Sequence, residues 1–265
     1  MPNLNQTYNL KREFFRLNNN DREVLDYLEK TEAKEALFKA FDLNSLNETI
    51  NETRIFSFIS ENFNPLKPEL IRHFDEGIEE DVALLFIDIT SFSKTIKRWS
   101  NEKIKQYLDE YYNDIIPLIY KNGGEIEKLM GDGIISVFGK PFINFPNPEY
   151  VYKAENCAEQ AIRKFHNTDK NIKVAIHQGT VHYYKVPGEN YGEYTMIGQP
   201  ITDLYRLESV SKSNAINFYS NSLYDNLGWV YSIFDETTVS CRGFKVGLQG
   251  VDFTDVKYMR FHDLK

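Results

Sequence analysis

Two cysteines in 265 residues are too few for a disulfide framework or a cysteine-built zinc site. Cys157 falls in a helical pattern and Cys241 in a strand-like one, and both read as packing residues. No stretch approaches the roughly 18 apolar residues of a membrane span, and the start Met1-Pro2-Asn3-Leu4 lacks the basic-then-apolar order of a secretory leader. The expectation is a cytoplasmic protein without a membrane partner. Basic charge is also scarce. With 31 Lys and Arg against 39 Asp and Glu, the formal net charge of −8 argues against a broad nucleic-acid-binding surface, while a small basic pocket for a nucleotide would not register in that total. The sequons Asn47-Glu48-Thr49 and Asn51-Glu52-Thr53 carry no weight without a leader.

What is present suffices for one substantial core plus an extension, since 42% of the residues are hydrophobic and 26% charged. Val24, Leu25, Leu28, Ala36, Leu37, Ala40 and Phe41 recur at helical spacing between about Asn20 and Phe41. A less regular helical segment follows from Ile50 to Phe63, and Pro65 and Pro68 then break the pattern. These features predict a helical N-terminal extension over residues 1–78 and a second domain over 79–265. In the latter the order is strand (Val82 to Asp88), helix (Asn101 to Asn122), strand (Glu125 to Met130), strand (Ile134 to Phe138), helix (Pro148 to Phe165), strand (Ile172 to His177) and helix (Ile201 to Ser211). Helix 101–122 carries Ile104, Leu108, Tyr111, Ile115, Leu118 and Ile119 on one stripe and ends at Gly123-Gly124, with Pro117 as an expected kink. Alternating strands and helices with one tight hairpin predict an α+β sandwich on a central mixed sheet.

Two aspartates stand out on this frame. Asp88 closes the apolar run Ala83-Leu84-Leu85-Phe86-Ile87, and Asp132 lies in the turn Met130-Gly131-Asp132-Gly133 between two strand-like runs. Each has an ordinary explanation, because Asp-Gly is a strong hairpin signal and Asp88 could cap a helix. Their combination says more. An aspartate ending a buried strand, a short turn at Thr90-Ser91, a helix starting at Phe92 and a second aspartate on the neighbouring hairpin describe a cradle for divalent cations and a triphosphate.

Phe86-Ile87-Asp88-Ile89-Thr90-Ser91-Phe92-Ser93 resembles the metal-binding signature of class III nucleotidyl cyclases, and Lys128-Leu129-Met130-Gly131-Asp132-Gly133-Ile134-Ile135-Ser136-Val137-Phe138-Gly139 resembles its partner hairpin. Ala175-Ile176-His177-Gln178-Gly179 and Tyr194-Thr195-Met196-Ile197-Gly198 are similar to later segments, so the likeness runs in order from about Val82 to Phe261. It implies a ferredoxin-like sandwich in a head-to-tail homodimer, with each catalytic site built from both chains. Asp88, Asp132 and the Ile89 carbonyl would bind two divalent cations, Mn²⁺ or Mg²⁺, with Phe92 beside the nucleoside triphosphate. Arg206, eight residues after Gly198, takes the place of the arginine that stabilises the transferring phosphate. Lys128 and Thr195 stand where related adenylate cyclases read the purine, which points to ATP.

Two departures point elsewhere. Thr202 replaces the family's ribose-orienting asparagine, and Gln249 replaces a lysine expected beside the triphosphate. Short, acidic bacterial cyclases of similar build include the pyrimidine cyclases of anti-phage signalling, whose cyclic UMP or cyclic CMP is read by a separate effector. The favoured expectation is therefore a uridylate or cytidylate cyclase. An adenylate cyclase in general signalling and an inactive nucleotide-binding module are the alternatives.

Overall fold

A computed structural model describes residues 68–144, 146–186, 193–232 and 241–261. The chain divides into two units, one of Met1–Thr7 with Glu69–Lys265 and one of Tyr8–Pro68. The helices expected over 20–41 and 50–63 lie outside the described residues.

The described elements are α1 (Pro68–Asp75), β1 (Glu79–Ile89), α2 (Phe92–Thr95), α3 (Asn101–Lys121), β2 (Glu125–Met130), β3 (Gly133–Phe138), α4 (Glu149–Phe165), β4 (Ile172–Val186), β5 (Glu193–Ile197), α5 (Gln199–Val210), β6 (Ala215–Tyr219), α6 (Leu223–Ser232), β7 (Arg242–Lys245) and β8 (Asp255–Arg260). Pro68 opens α1 rather than ending order, as a proline can at the first helical turn, where its missing N–H costs nothing. α3 begins at Ser100, whose hydroxyl accepts from the Lys103 N–H. It ends at Lys121, two residues before Gly123, and carries Pro117 inside it.

The strands run β2-β3-β1-β4-β6-β8-β7, with β5 paired to β4. Only β4 with β6 is parallel among these pairs, so the sheet is mixed, as the element order implied. β1 explains its central place by composition: Val82 to Ile87 are all buried, the mark of a strand covered on both faces. α4 buries Tyr150, Val151, Ala154, Cys157, Ala158, Ala161, Ile162 and Phe165 at helical spacing, so Cys157 is a core residue. Cys241 lies just before β7. β4 extends well past the expected end at His177, because β1 pairs with it through His182 and β5 pairs with it from His182 to Val186. Among the described residues no helix is long and apolar enough to cross a membrane.

Candidate active site

The register of three strands brings the two aspartates to one end of the sheet. β1 lies between β3 and β4, so Asp88 at its end is one strand away from the β2–β3 hairpin that carries Asp132. The hairpin motif has a separate reason for each residue. Gly131 takes the positive φ of the turn, 65°, whereas Asp132 does not occupy that region, so the turn itself does not require the aspartate. Gly133 allows close approach, since a Cβ there would meet the Phe86 ring at 2.9 Å and Asp88 Oδ1 at 3.5 Å. Tyr112 of α3 donates its hydroxyl hydrogen to the Gly131 carbonyl and holds the turn from below.

The two carboxyls are near enough for each to feel the other's charge. Burial, the charge of Asp88 and a side-chain hydrogen bond to it push the Asp132 carboxyl up to about 7, against the opposing pull of backbone hydrogen bonds at Asp132 and Ile89. Lys173 stands directly opposite Asp88 across β1 and β4. Its Nζ lies 3.4 Å from Asp88 Oδ2 and 2.5 Å from Glu208 Oε1 of α5. Burial favours its neutral form, but Glu208 and Asp88 outweigh that and hold the ammonium above its ordinary value. Sequence reasoning missed this lysine. Its only sequence signal is a charge between the buried Ile172 and Val174, and nothing but strand register places it on Asp88.

The remaining expected residues fall into two places. Phe92, the first residue of α2, is buried and stacks on Tyr107 with ring centroids 6.1 Å apart, so it anchors the turn after Ile89. Ser91 in that turn adopts φ 60°. Lys128 is exposed on β2 of the aspartate hairpin, just past a register shift between Ile126 and Lys128. Thr195 lies on β5 opposite Tyr184. Thr202 and Arg206 are one turn apart on the exposed side of α5, whose buried side carries Asp203, Leu204 and Leu207. Gln249 is exposed in the loop between β7 and β8, and that loop is fastened to α5 where Gln199 Nε2 donates to the Gly250 carbonyl at 2.8 Å. Tyr205 docks α5 on the hairpin end, with its ring edge on Phe86 and its hydroxyl 3.6 Å from Met130 Sδ. The structure thus brings Asp88, Ile89 and Asp132 to one end of the sheet and sets Thr202 and Arg206 together on α5, with Gln249 next to the Gly250 that Gln199 holds. No ion pair of Arg206 occurs among the described residues.

Residues 75–251 match the family of adenylate and guanylate cyclase catalytic domains. The chain belongs to that family. An uncharacterised protein of Mycobacterium tuberculosis is 25% identical over 138 residues, covering 52% of this chain and 25% of that protein. Adenylate cyclase 1 of Rhizobium meliloti is 22% identical over 189 residues, covering 64% and 28% respectively. The chain therefore spans about a quarter of these curated relatives. Among solved structures, the catalytic core of a rhodopsin-guanylyl cyclase of converted specificity, in complex with ATPαS, is 21% identical with a TM-score of 0.57, covering 70% of this chain and 98% of that one. The adenylyl cyclase CyaB of P. aeruginosa is 20% identical with a TM-score of 0.53, covering 69% and 94%. These two likenesses show a shared fold.

Cyclases of this family use divalent cations, generally Mg²⁺ or Mn²⁺. The residues present fit such ions. Two hard oxygen donors are held near one another against their mutual repulsion, and a divalent cation relieves that repulsion directly.

Proposed function

We propose that this chain is a metal-dependent nucleotidyl cyclase acting as a head-to-tail homodimer, with a pyrimidine nucleoside triphosphate as substrate. The observation that carries the cyclase reading is the placement of Asp88 and Asp132 at one end of the sheet, on neighbouring strand and hairpin, with Lys173 paired to Asp88. The homodimer reading follows from Thr202 and Arg206, which stand exposed on α5 and need a surface that brings substrate to them.

The bond that forms joins the ribose 3′-oxygen to the α-phosphorus. The one that breaks joins that phosphorus to the bridging oxygen of pyrophosphate, and the 3′-hydroxyl proton leaves to solvent. Two divalent cations, when bound, supply Lewis acidity at the 3′-oxygen and charge neutralisation along the triphosphate. Asp88, Asp132 and the Ile89 carbonyl of one subunit would hold them. Arg206 of the other subunit donates along two guanidinium edges to the equatorial phosphate oxygens as charge develops there. Thr202 offers a hydroxyl to the ribose, Gln249 an amide to the phosphates, and Lys128 with Thr195 meets the base edge. Phe92 fixes the turn that carries the Ile89 carbonyl. Lys173 balances the charge of Asp88 and ties it to Glu208 of α5.

Thr202 and Gln249 support the pyrimidine reading, because both positions depart from the purine-cyclase pattern in reach and charge. Lys128 favours a second reading, cyclisation of ATP, since its ammonium is exposed beside the metal hairpin and free to contact a purine edge. The role in anti-phage defence, through a cyclic pyrimidine nucleotide read by a separate effector, follows from the pyrimidine reading alone and fails with it. The test is incubation of the purified protein with ATP, GTP, CTP or UTP in separate Mn²⁺ reactions, with products read by mass spectrometry. Cyclic UMP or cyclic CMP is expected. Cyclic AMP as the main product would replace the first reading by the second, and no product from a folded dimer would overturn both.

A further inference from the structure

The buried side of α5 contains a carboxylate where an aliphatic side chain would pack. Asp203 is 5% exposed and shares its stripe with Leu204 and Leu207. Burying a carboxylate is costly unless partners surround it, so its presence calls for a reason beyond packing. Its partners come from separate elements. Oδ1 accepts from Gln199 Nε2 at 2.8 Å, and Oδ2 lies 3.6 Å from Nε2 of His177 on β4, an electrostatic contact longer than a hydrogen bond. The same Gln199 amide donates at 2.8 Å to the Gly250 carbonyl. From β6, the Tyr219 hydroxyl donates at 2.8 Å to the main-chain carbonyl of Asp203.

His177 is as enclosed as its partner. It is 3% exposed, and its ring meets the edges of Tyr219 and Phe253 at centroid distances of 5.5 and 5.6 Å. Those two rings stack on each other at 4.5 Å. Its Nδ1 is buried without a partner, so the imidazole's polar contact is directed at Asp203. A histidine placed for packing alone would gain nothing from that arrangement, and phenylalanine would fill the space without an orphaned nitrogen.

The residues next to this cluster explain it better. Thr202 precedes Asp203, Arg206 lies three residues after it, and Gln249 precedes the Gly250 whose carbonyl Gln199 holds. We propose that Gln199, Asp203 and His177 are positioning residues that fix the rotation of α5 and the place of the β7–β8 turn, presenting Thr202, Arg206 and Gln249 as one set. A leucine at 203 would pack as well, but it would leave the helix free to roll about its axis and the turn free to leave it. The inference rests on the cyclase reading for its effect on catalysis, but not for its effect on the backbone. Misplacing a catalytic group by about 1 Å costs on the order of 100-fold in rate, so a small roll of α5 is sufficient.

The test compares Asp203→Leu with Asp203→Asn in the full-length protein, reading melting temperature, kcat, KM and amide hydrogen exchange. Asp203→Leu leaves the buried His177 Nε2 without its partner and is expected to melt a few degrees lower than the parent while keeping its fold. Its amides in residues 199–203 and 247–250 should exchange about 10-fold faster, and its kcat should fall about 10- to 100-fold with KM moving about 3-fold or less. Asp203→Asn, which still accepts from Gln199, should keep most of kcat and the parental exchange. Gln199→Met, at an exposed position, should release the 247–250 turn by itself and keeps the question decidable if the leucine variant does not fold. Parental exchange and kcat in Asp203→Leu, or equal damage in the asparagine variant, would overturn the inference. An absence of cyclisation by the parent protein would sink the cyclase reading alone, and the exchange data would still decide the anchor.

Discussion

At the β2–β3 hairpin end the functional groups are set into the sheet, with Asp88 between the charge of Asp132 and the ammonium of Lys173 and with Phe86 packed under Gly133. On α5 they stand on the exposed face, where Thr202 and Arg206 touch no charged partner among the described residues, and order comes from beneath through Asp203. The first region is complete in its own chain apart from the ions. On the proposed reading the second completes a site only with a partner chain. The hairpin end resembles the family's metal-binding segments, while Thr202 and Gln249 on the other side depart from the residues that the resemblance leads one to expect. On the proposed reading, the chemistry common to the family resides in the rigid end, and the choice of substrate in the end that faces outward.

The largest expected effect breaks the rigid end. Asp88→Ala or Asp132→Ala should lower turnover by about 1,000-fold or more while leaving circular dichroism and the cooperative melt intact. Normal turnover in either variant would remove the two-cation proposal. Lys173→Met should lower kcat/KM about 10- to 100-fold and destabilise the fold by about 2–3 kcal/mol, because Asp88 and Glu208 would each lose a partly buried partner. Thermal denaturation beside steady-state kinetics measures both, and an unchanged melt would show that the bridge contributes nothing.

The electrostatic strain at the pair gives a smaller effect with a definite sign. A carboxyl held near 7 in the fold and at its ordinary value when unfolded binds more protons in the folded state between those limits. Stability of the metal-free protein should therefore be full at low pH and fall as pH rises from about 4 to about 7, with no further contribution above that window. Asp132→Asn should flatten the slope and raise the melting temperature at pH 8 by ~2–4 °C, since solvent screening at this half-exposed carboxyl cuts the repulsion to on the order of 1 kcal/mol. Denaturation with chelator across pH tests this, and a slope retained in the asparagine variant would contradict it. The smallest effect concerns the outward end. Thr202→Asn with Gln249→Lys should shift the ratio of purine to pyrimidine turnover only a few-fold, as each change adds one contact worth about 1 kcal/mol. A ratio that did not move would place base choice elsewhere.

Much of the rigid end was legible in the sequence because its signals are local. The apolar run before Asp88, the Gly131-Asp132-Gly133 turn and the Gly123-Gly124 stop each declare themselves within a few residues. Lys173 was not, because its partner is 85 positions away and only the antiparallel register of β1 and β4 joins them. Asp203 reads as one more surface acid until helical phase is counted. It shares a face with Leu207 four residues on, whereas Thr202 and Arg206 share the opposite one, and that phase was the signal available. β7 escaped notice because it has four residues and little buried surface, too short a run for alternation to be seen.

The central claim is that each catalytic site joins the rigid end of one chain to the outward end of another. Asp132→Ala and Arg206→Ala variants, each inactive alone, can be mixed under conditions that exchange subunits and assayed for cyclisation. Shared sites predict recovery to about a quarter of parental activity, since half of the dimers are mixed and each holds one complete site. No recovery, with mixed dimers confirmed by native mass spectrometry, would place both groups in one chain's site and contradict the account.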